Sequence, residues 1–155
     1  MSMLENRTYD ELNAGDTASA SHVVTERDLI LFATVSGDVN PVHLDEEFAA
    51  ATPFKGRIAH GMLSGALISA AIACELPGPG TIYIGQEMSF LRPVRLGDEI
   101  RIELEVLEKL PKNRLKIATQ VINQEGKKVV DGVATVMAPT EKVKVPRPQL
   151  PAVSY

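Results

Sequence analysis

The sequence predicts a single α+β domain, in which a curved antiparallel sheet of about five strands wraps around one long apolar helix. Residues 58–76, "IAHGMLSGALISAAIACEL", are apolar and rich in small residues, which is typical of a helix covered nearly all round. From residue 82 onward, apolar and polar positions alternate in four segments, as they do in strands with one solvated face. A length of 155 residues fits one domain with a real hydrophobic core.

Local signals place the helices. Residues 17–24, "TASASHVV", predict a first strand, and Thr25 is then typical of the N-cap of a helix that Gly37 ends. Asp45 predicts the cap of a short helix that runs through Ala51. The apolar helix is expected to begin near His60 or Gly61.

The four later strands are expected to form a meander. The turn sequences "RLGD", "PKN" and "QEG" separate them, and their predicted ranges are 82–90, 100–106, 114–123 and 127–138. The domain is therefore expected to span residues 1–138. Residues 139–155 contain four prolines and little periodicity, which indicates an extended tail or linker.

Composition excludes several classes of function. With 16 basic and 20 acidic residues, the net charge of −4 gives no global attraction to nucleic acid or to an anionic membrane. Tryptophan is absent, so a base-stacking platform is not expected. The single cysteine, Cys74, lies in an apolar run and predicts a buried thiol in a reducing compartment, hence a cytoplasmic location. The N-terminal residues do not resemble a secretory signal.

The segment "VSGDVNPVH", residues 35–43, raises the possibility of an acid–base pair. On a continuous helix, Asp38 and His43 would point about 140° apart. Pro41 disfavours a continuous helix, and a bend can bring the two side chains together. A carboxylate beside an imidazole can move protons near neutral pH. The alternative is a simple turn, in which Asp38 and Asn40 satisfy backbone groups and His43 lies on the surface.

A glycine at the start of the apolar helix predicts an oxyanion site. The N–H groups of a first helical turn are unpaired, and a residue without a side chain, such as Gly61, lets a carbonyl oxygen approach them closely. The alternative is that glycine only permits tight helix–sheet packing. Ser69 lies eight residues later, about 80° around the helix from Gly61, and by default would bond back to the preceding turn.

Residues 32–49, "FATVSGDVNPVHLDEEFA", resemble the hydratase signature of the MaoC-like family, the (R)-specific enoyl-CoA hydratases, at every defined position. "AHGML" resembles the start of that family's central helix, and residues 80–100, "GTIYIGQEMSFLRPVRLGDEI", resemble the strand region that follows. The resemblance covers residues 8–138. It implies a hot-dog fold, a homodimer whose sheets join edge to edge, and hydration of trans-2-enoyl-CoA to (R)-3-hydroxyacyl-CoA.

The resemblance also implies roles for single residues. The aspartate and histidine that hold and activate water in the family fall on Asp38 and His43. The signature asparagine falls on Asn40, the oxyanion glycine on Gly61 and a supporting serine on Ser69. CoA is then the substrate carrier, and no metal or other cofactor is implied.

Some residues outside the signature have two interpretations. Four cations are candidates for binding CoA phosphates, although a cation in such a position is more often only a solvated surface charge: Lys55, Arg57, Arg92 and Arg95. His60 is expected to be structural and to orient the loop before the helix. The three histidines, His22, His43 and His60, have no recognised metal-binding spacing.

Three rival functions stay open at this stage. A dehydratase that acts on acyl carrier protein would share the site, and a non-catalytic acyl-CoA-binding subunit would share the fold. A thioesterase would need a carboxylate on the central helix, where the only acid, Glu75, lies at the far end. The region through "APTEKVKVPRP" also resembles hydratase domains fused to phosphate acyltransferases, which implies a fused or associated partner. The sequence does not predict acyl chain length.

Overall fold

The computed structural model describes residues 2–155, and its main feature is a five-stranded antiparallel sheet packed on one long helix. The strands lie in the order β2–β4–β5–β6–β3. Their bounds are Thr17–Val23 for β2, Ile82–Phe90 for β3, Glu99–Leu110 for β4, Arg114–Ile122 for β5 and Lys128–Met137 for β6. Helix α4, Gly61–Cys74, packs against β4 and β5. The predicted α+β class is confirmed, and the arrangement is a hot-dog fold.

Strict alternation along β4 and β5 forms the core. In β4 the inward residues Ile100, Ile102, Leu104 and Val106 are buried, and in β5 Leu115, Ile117 and Val121 are buried in the same way. They pack in one cluster with residues of α4 such as Ile68 and Ile72. Because the side-chain period of a strand is two, this register places every second residue of each strand in water.

The predicted meander is wrong for one strand. Strands β4, β5 and β6 do follow one another, but β3 pairs with β6 at one edge, while β4 pairs with β2. The "RLGD" turn forms, with Arg95 N–H bonded to the Asp98 carboxylate at 2.8 Å. It belongs to a link over residues 91–98 that crosses to the loop before α4, where Ile58 and Arg95 form a bridge. That crossing carries the chain away from β3.

The expectation that α4 is covered nearly all round is also wrong within one chain. One face is buried, at Leu63, Ser64, Ile68, Ala71 and Ile72. The opposite face, which includes Met62, Ala66, Ser69, Ala70 and Ala73, is exposed. A helix of such uniform apolarity needs a second covering surface. The thiol of Cys74 is half-buried, not buried as predicted.

The predicted helix caps are confirmed. Helix α1, Glu26–Ser36, begins with a capping box between Thr25 and Asp28 and ends at Gly37. Helix α3, Glu46–Ala50, is capped by Asp45. Between them lies a one-turn helix, α2, Pro41–Leu44, which the sequence analysis did not predict.

The two chain ends form a small sheet of their own. Strand β1, Met3–Glu5, pairs with β7, Lys144–Pro146, within the segment expected to be an extended tail. The buried Asn6 amide donates to the Glu141 carbonyl at 2.9 Å and accepts from the Val143 N–H at 3.0 Å. No helix in residues 2–155 combines the length and the apolarity that a membrane crossing requires.

Candidate active site

The chain bends between α1 and α2, and the bend brings Asp38 to His43. Gly37 ends α1 in the left-handed region, at φ 78°, which glycine adopts without strain. Asn40 caps α2, and Pro41 occupies its first position, where no N–H is needed. Asp38 Oδ2 consequently lies 3.9 Å from His43 Nε2. Turn chemistry is present as well, since Asp38 Oδ1 accepts the Asn40 N–H at 3.1 Å.

The hydrogen bonds of His43 determine which of its nitrogens is free. Nδ1 lies 2.8 Å from the Ile58 carbonyl oxygen, which can only accept. In the neutral ring the proton therefore sits on Nδ1, and Nε2 is an acceptor directed toward Asp38. A separation of 3.9 Å is too long for a direct hydrogen bond, but it lets both groups bind one water. The Asp38 side chain is 48% exposed and that of His43 10%, so the carboxylate lies on the solvent side.

A cavity of about 370 Å³ opens beside His43, between the start of α4 and the end of β3. Gly61 lines it as the first residue of α4, where the N–H has no intrahelical partner and the helix dipole is positive. A Cβ at Gly61 would stand 3.0 Å from the ring of Phe90, so a side chain there would crowd the cavity. Most of the remaining wall is apolar: Phe54, Ile58, Ala59, Leu91, Pro93, Val94 and Val130.

Asn40 and Ser69, which the resemblance assigns to the substrate site, do not line this cavity in the single chain, and Asp38 adjoins it only through His43. Asn40 uses its side-chain oxygen to cap α2, accepting the Val42 N–H at 3.3 Å. Ser69 is exposed and does not line the cavity. Eight residues of helix advance about 12 Å along the axis, so Ser69 is distant from Gly61 although the two residues are only about 80° apart around the helix. Ser64, less than one turn after Gly61, is buried and lines the cavity instead.

The four candidate cations separate into two kinds. Arg57 is only 10% exposed, and both ends of its guanidinium are occupied: Nε donates to the His43 carbonyl at 2.9 Å, and Nη1 pairs with Glu26 at 3.0 Å. It supports α2 from within the protein and is not available to a phosphate. Lys55, Arg92 and Arg95 are exposed, and Arg92 lines the cavity.

His60 lies closer to the chemistry than expected. Its ring stacks on that of His43, with centroids 3.8 Å apart, and its Nε2 lies 3.0 Å from the Asp38 carbonyl oxygen. From the sequence, His60 was expected only to orient the loop before the helix. The "HG" at the helix start was the available signal, but nothing local shows that the ring turns back toward Asp38.

Asp38, His43 and His60 place ligand atoms within 4.8 Å of one another, which is also the donor set of a transition-metal site. The two imidazole planes, however, are 27° from parallel. The lone pairs of ring nitrogens lie in the ring planes, so stacked rings do not direct them at one ion about 2.1 Å from each. The arrangement suits a water held by Asp38 and His43 better than a metal.

A larger depression, of about 560 Å³, lies on β2, β4 and β5. Its polar groups include Thr17, Glu103 and Gln120, with no imidazole beside a carboxylate. On chemical grounds the smaller cavity is the candidate active site. Glu75, the acid considered for a thioesterase, follows the last residue of α4 and lies 3.5 Å from Arg147.

Comparisons with known proteins identify the family that this chain resembles. Residues 11–136 match the family described as MaoC like domain. The (R)-specific enoyl-CoA hydratase of Rhodospirillum rubrum is 41% identical over 131 residues, which are 84% of this chain and 91% of that protein. The unliganded R-hydratase PhaJ1 of Pseudomonas aeruginosa has a TM-score of 0.96 at 62% identity, covering 99% of each chain. A mitochondrial 3-hydroxyacyl-[acyl-carrier-protein] dehydratase of Solanum lycopersicum is 32% identical over 138 residues, 87% of this chain and 82% of that protein.

Proposed function

This chain belongs to the MaoC-like domain family, and on that premise we propose that it hydrates trans-2-enoyl-CoA to (R)-3-hydroxyacyl-CoA. Relatives that are 41% and 62% identical carry the name of an R-specific hydratase, which makes the chain a hydro-lyase by homology. The observation that carries the proposal is the 3.9 Å approach of Asp38 to His43. His43 lines the same cavity as Gly61, whose amide is free.

The proposed mechanism uses the two sides of the cavity. The thioester oxygen accepts the Gly61 N–H, which draws electrons from the C2–C3 double bond. Water held by Asp38 and His43 adds at C3 as the pair accepts its proton, and a proton reaches C2 on the same face. Charge develops on the thioester oxygen, so the bond to Gly61 strengthens in the transition state. The reaction needs neither a metal nor a redox cofactor.

Substitution of the pair tests this function. We expect Asp38→Asn and His43→Ala each to lower kcat for crotonyl-CoA hydration at least about 10²-fold, the usual contribution of general acid–base catalysis. Because the two residues act on one water, the double variant should lose much less than the product of the single losses. Disappearance of the enoyl thioester absorbance measures the rate, and chiral analysis of the product tests the R configuration.

His22→Gln is the matched control, since His22 pairs with Asp28 at 2.7 Å and does not line the cavity. Near-normal turnover in folded Asp38→Asn and His43→Ala variants would falsify the assignment. Tight binding of enoyl-CoA without any loss of absorbance in the wild type would instead support a non-catalytic acyl-CoA-binding subunit.

CoA is the proposed carrier, in preference to acyl carrier protein. The curated carrier-protein dehydratases are less similar to this chain than the CoA hydratases. Arg92 lines the cavity, and Lys55 follows Phe54, which also lines it. Among residues 2–155, Lys55 and Arg92 form no salt bridge, and Arg92 uses only Nη1, which donates to the Lys128 carbonyl at 3.1 Å, so both charges can meet CoA phosphates. Rates on matched CoA and carrier-protein thioesters distinguish the two.

We also propose a homodimer. The exposed apolar face of α4 adjoins β3. This strand is one of the two edge strands of the sheet, and it exposes Ile82, Ile84 and Phe90. A second copy that pairs along β3 covers the strand edge and the helix face together. A cytoplasmic location and an associated phosphate acyltransferase remain predictions from the sequence.

A further inference from the structure

The imidazole of His60 connects the two halves of the candidate active site. It is 2% exposed, and its ring lies between that of His43, at a centroid distance of 3.8 Å, and that of Phe32, at 4.8 Å. Its Nε2 lies 3.0 Å from the main-chain oxygen of Asp38. The His60 side chain therefore contacts both the ring of His43 and the backbone of Asp38.

Within residues 2–155, only one of the two ring nitrogens of His60 takes part in a hydrogen bond. The Asp38 oxygen is a carbonyl and can only accept, so Nε2 is the donor and Nδ1 carries no proton in the neutral ring. Nδ1 is buried and has no hydrogen-bond partner among the described residues. An unpaired buried acceptor is unfavourable. A ring needed only for packing would be better served by an apolar aromatic, so the Nε2 bond is the reason for an imidazole here.

The bond holds a segment that has few other restraints. Asp38 lies in the two-residue link after Gly37, with an exposed side chain, and its N–H bonds only to the nearby Ser36 hydroxyl at 3.1 Å. His60 is the N-cap of α4 and directly precedes Gly61. The Nε2 bond thus ties the Asp38 backbone to the residue that directly precedes Gly61.

We propose that His60 is a positioning residue for the hydration reaction: its Nε2–H holds the Asp38 backbone in register with Gly61, and its ring sets the plane of His43. This rests on the proposed function. His60 lines the cavity, but it is only 2% exposed and contacts no reacting atom in this scheme. Its loss should therefore lower kcat while leaving KM nearly unchanged.

Two substitutions separate the two contacts. His60→Phe keeps a ring to stack on His43 but loses the donor, whereas His60→Gln keeps an amide donor but loses the ring. We expect each to lower kcat about tenfold and His60→Ala about 10²-fold, as small misplacements of catalytic groups do. KM should change less than about twofold. His22→Gln, at a histidine bonded to a carboxylate outside the cavity, should match the wild type.

A double-mutant comparison tests the route of the effect. In an Asp38→Asn background, where the acid no longer contributes, His60→Phe should cause little further loss of kcat. A full, additive loss would overturn the proposal, and so would wild-type kcat in both folded His60→Phe and His60→Gln. A rise in KM at unchanged kcat would show a substrate contact instead, which also overturns it.

An NMR measurement keeps the proposal separate from the proposed function. A ring stacked at 3.8 Å shifts the ring-proton resonances of His43, and His60→Gln should remove that shift, whereas His60→Phe should retain one. A protein without hydratase activity would refute the function but could still show this pattern. Resonances of His43 that are the same in all variants would refute the stacking role even if the enzyme is active.

Discussion

At the scale of single residues, the bend after α1 brings together groups that the sequence names but does not orient. The bend between Asp38 and His43 was predictable, because Gly37 and Pro41 disfavour a continuous helix, but the local sequence alone left open whether the two side chains meet. The acceptor state of His43 Nε2 was not, because it depends on the Ile58 carbonyl, 15 residues away. That Ser64 and not Ser69 lines the cavity of the single chain was unpredictable for a similar reason, since helix rise and the position of the cavity are three-dimensional quantities.

Arg57 is expected to affect the rate and not the binding of CoA. Its Nε holds the His43 carbonyl, and Nη1 ties it to Glu26. Arg57→Gln should therefore lower kcat about tenfold and leave KM for crotonyl-CoA nearly unchanged, because His43 is displaced. Steady-state kinetics measure both constants.

The exposed Arg92 should show the opposite pattern. Arg92→Gln is expected to raise KM for crotonyl-CoA several-fold at constant kcat, because a charge-assisted bond to a phosphate is lost. With the N-acetylcysteamine thioester, which has no phosphate, it should behave as the wild type. If Arg57→Gln raises KM for the CoA substrate alone, the assignment of Arg57 to the protein interior is wrong.

At the scale of elements, the caps were the most predictable feature. Thr25, Asp28, Gly37 and Asp45 all perform the capping roles expected of them, because capping depends on contacts within a few residues. The position of β3 beside β6 was not predictable. It depends on the crossing link over residues 91–98, whose contacts with the loop before α4 are long-range.

Gly37 offers a test of the element boundary. Alanine at φ 78° is strained, and no atom lies within 4 Å of the added Cβ, so backbone strain alone should destabilise Gly37→Ala by about 1–2 kcal/mol. Gly15→Ala, at φ 94° and also in open space, should lose a similar amount in urea denaturation. Only Gly37→Ala should also lower kcat, about tenfold, because it turns the backbone that carries Asp38. Equal activity in the two variants would contradict this.

At the scale of the whole molecule, the chain ends depend on one buried amide. Asn6 is 1% exposed and bonds to Pro79, Glu141 and Val143. The fold class was predictable from patterning. This contact was not, since it joins residues more than 130 positions apart.

Asn6→Ala should therefore destabilise the protein by about 1–3 kcal/mol, because it leaves buried backbone groups unpaired. It should also expose residues 139–155 to limited proteolysis. Asn13→Ala, at an exposed asparagine, is the control and should change the free energy of unfolding by less than about 0.5 kcal/mol in urea denaturation. A tail that is equally protected in both variants would show that β1 and β7 pair without Asn6.

The proposed homodimer has its own test. Ile84→Lys places a charge on the β3 edge and should yield monomers by light scattering coupled to size exclusion, because a charge on an edge strand disfavours the addition of another strand. Val23→Lys places the same charge on β2, the opposite edge, and should leave the mass unchanged. Loss of the dimer in the Val23 variant would show that the interface lies at the β2 edge and not at β3.

The two edges of the sheet differ in a way that limits how far the chain can assemble. The β3 edge exposes the large apolar residues Ile82, Ile84 and Phe90 beside Glu87 and Ser89, whereas β2 presents Thr17, Ser19 and Ser21 to solvent. If the β3 edges of two copies pair about a two-fold axis, both β3 strands are covered and only the two β2 strands stay exposed. These strands carry hydroxyl groups and present little apolar surface to a third copy. The proposed homodimer would therefore close on itself and would not extend into a filament of added strands.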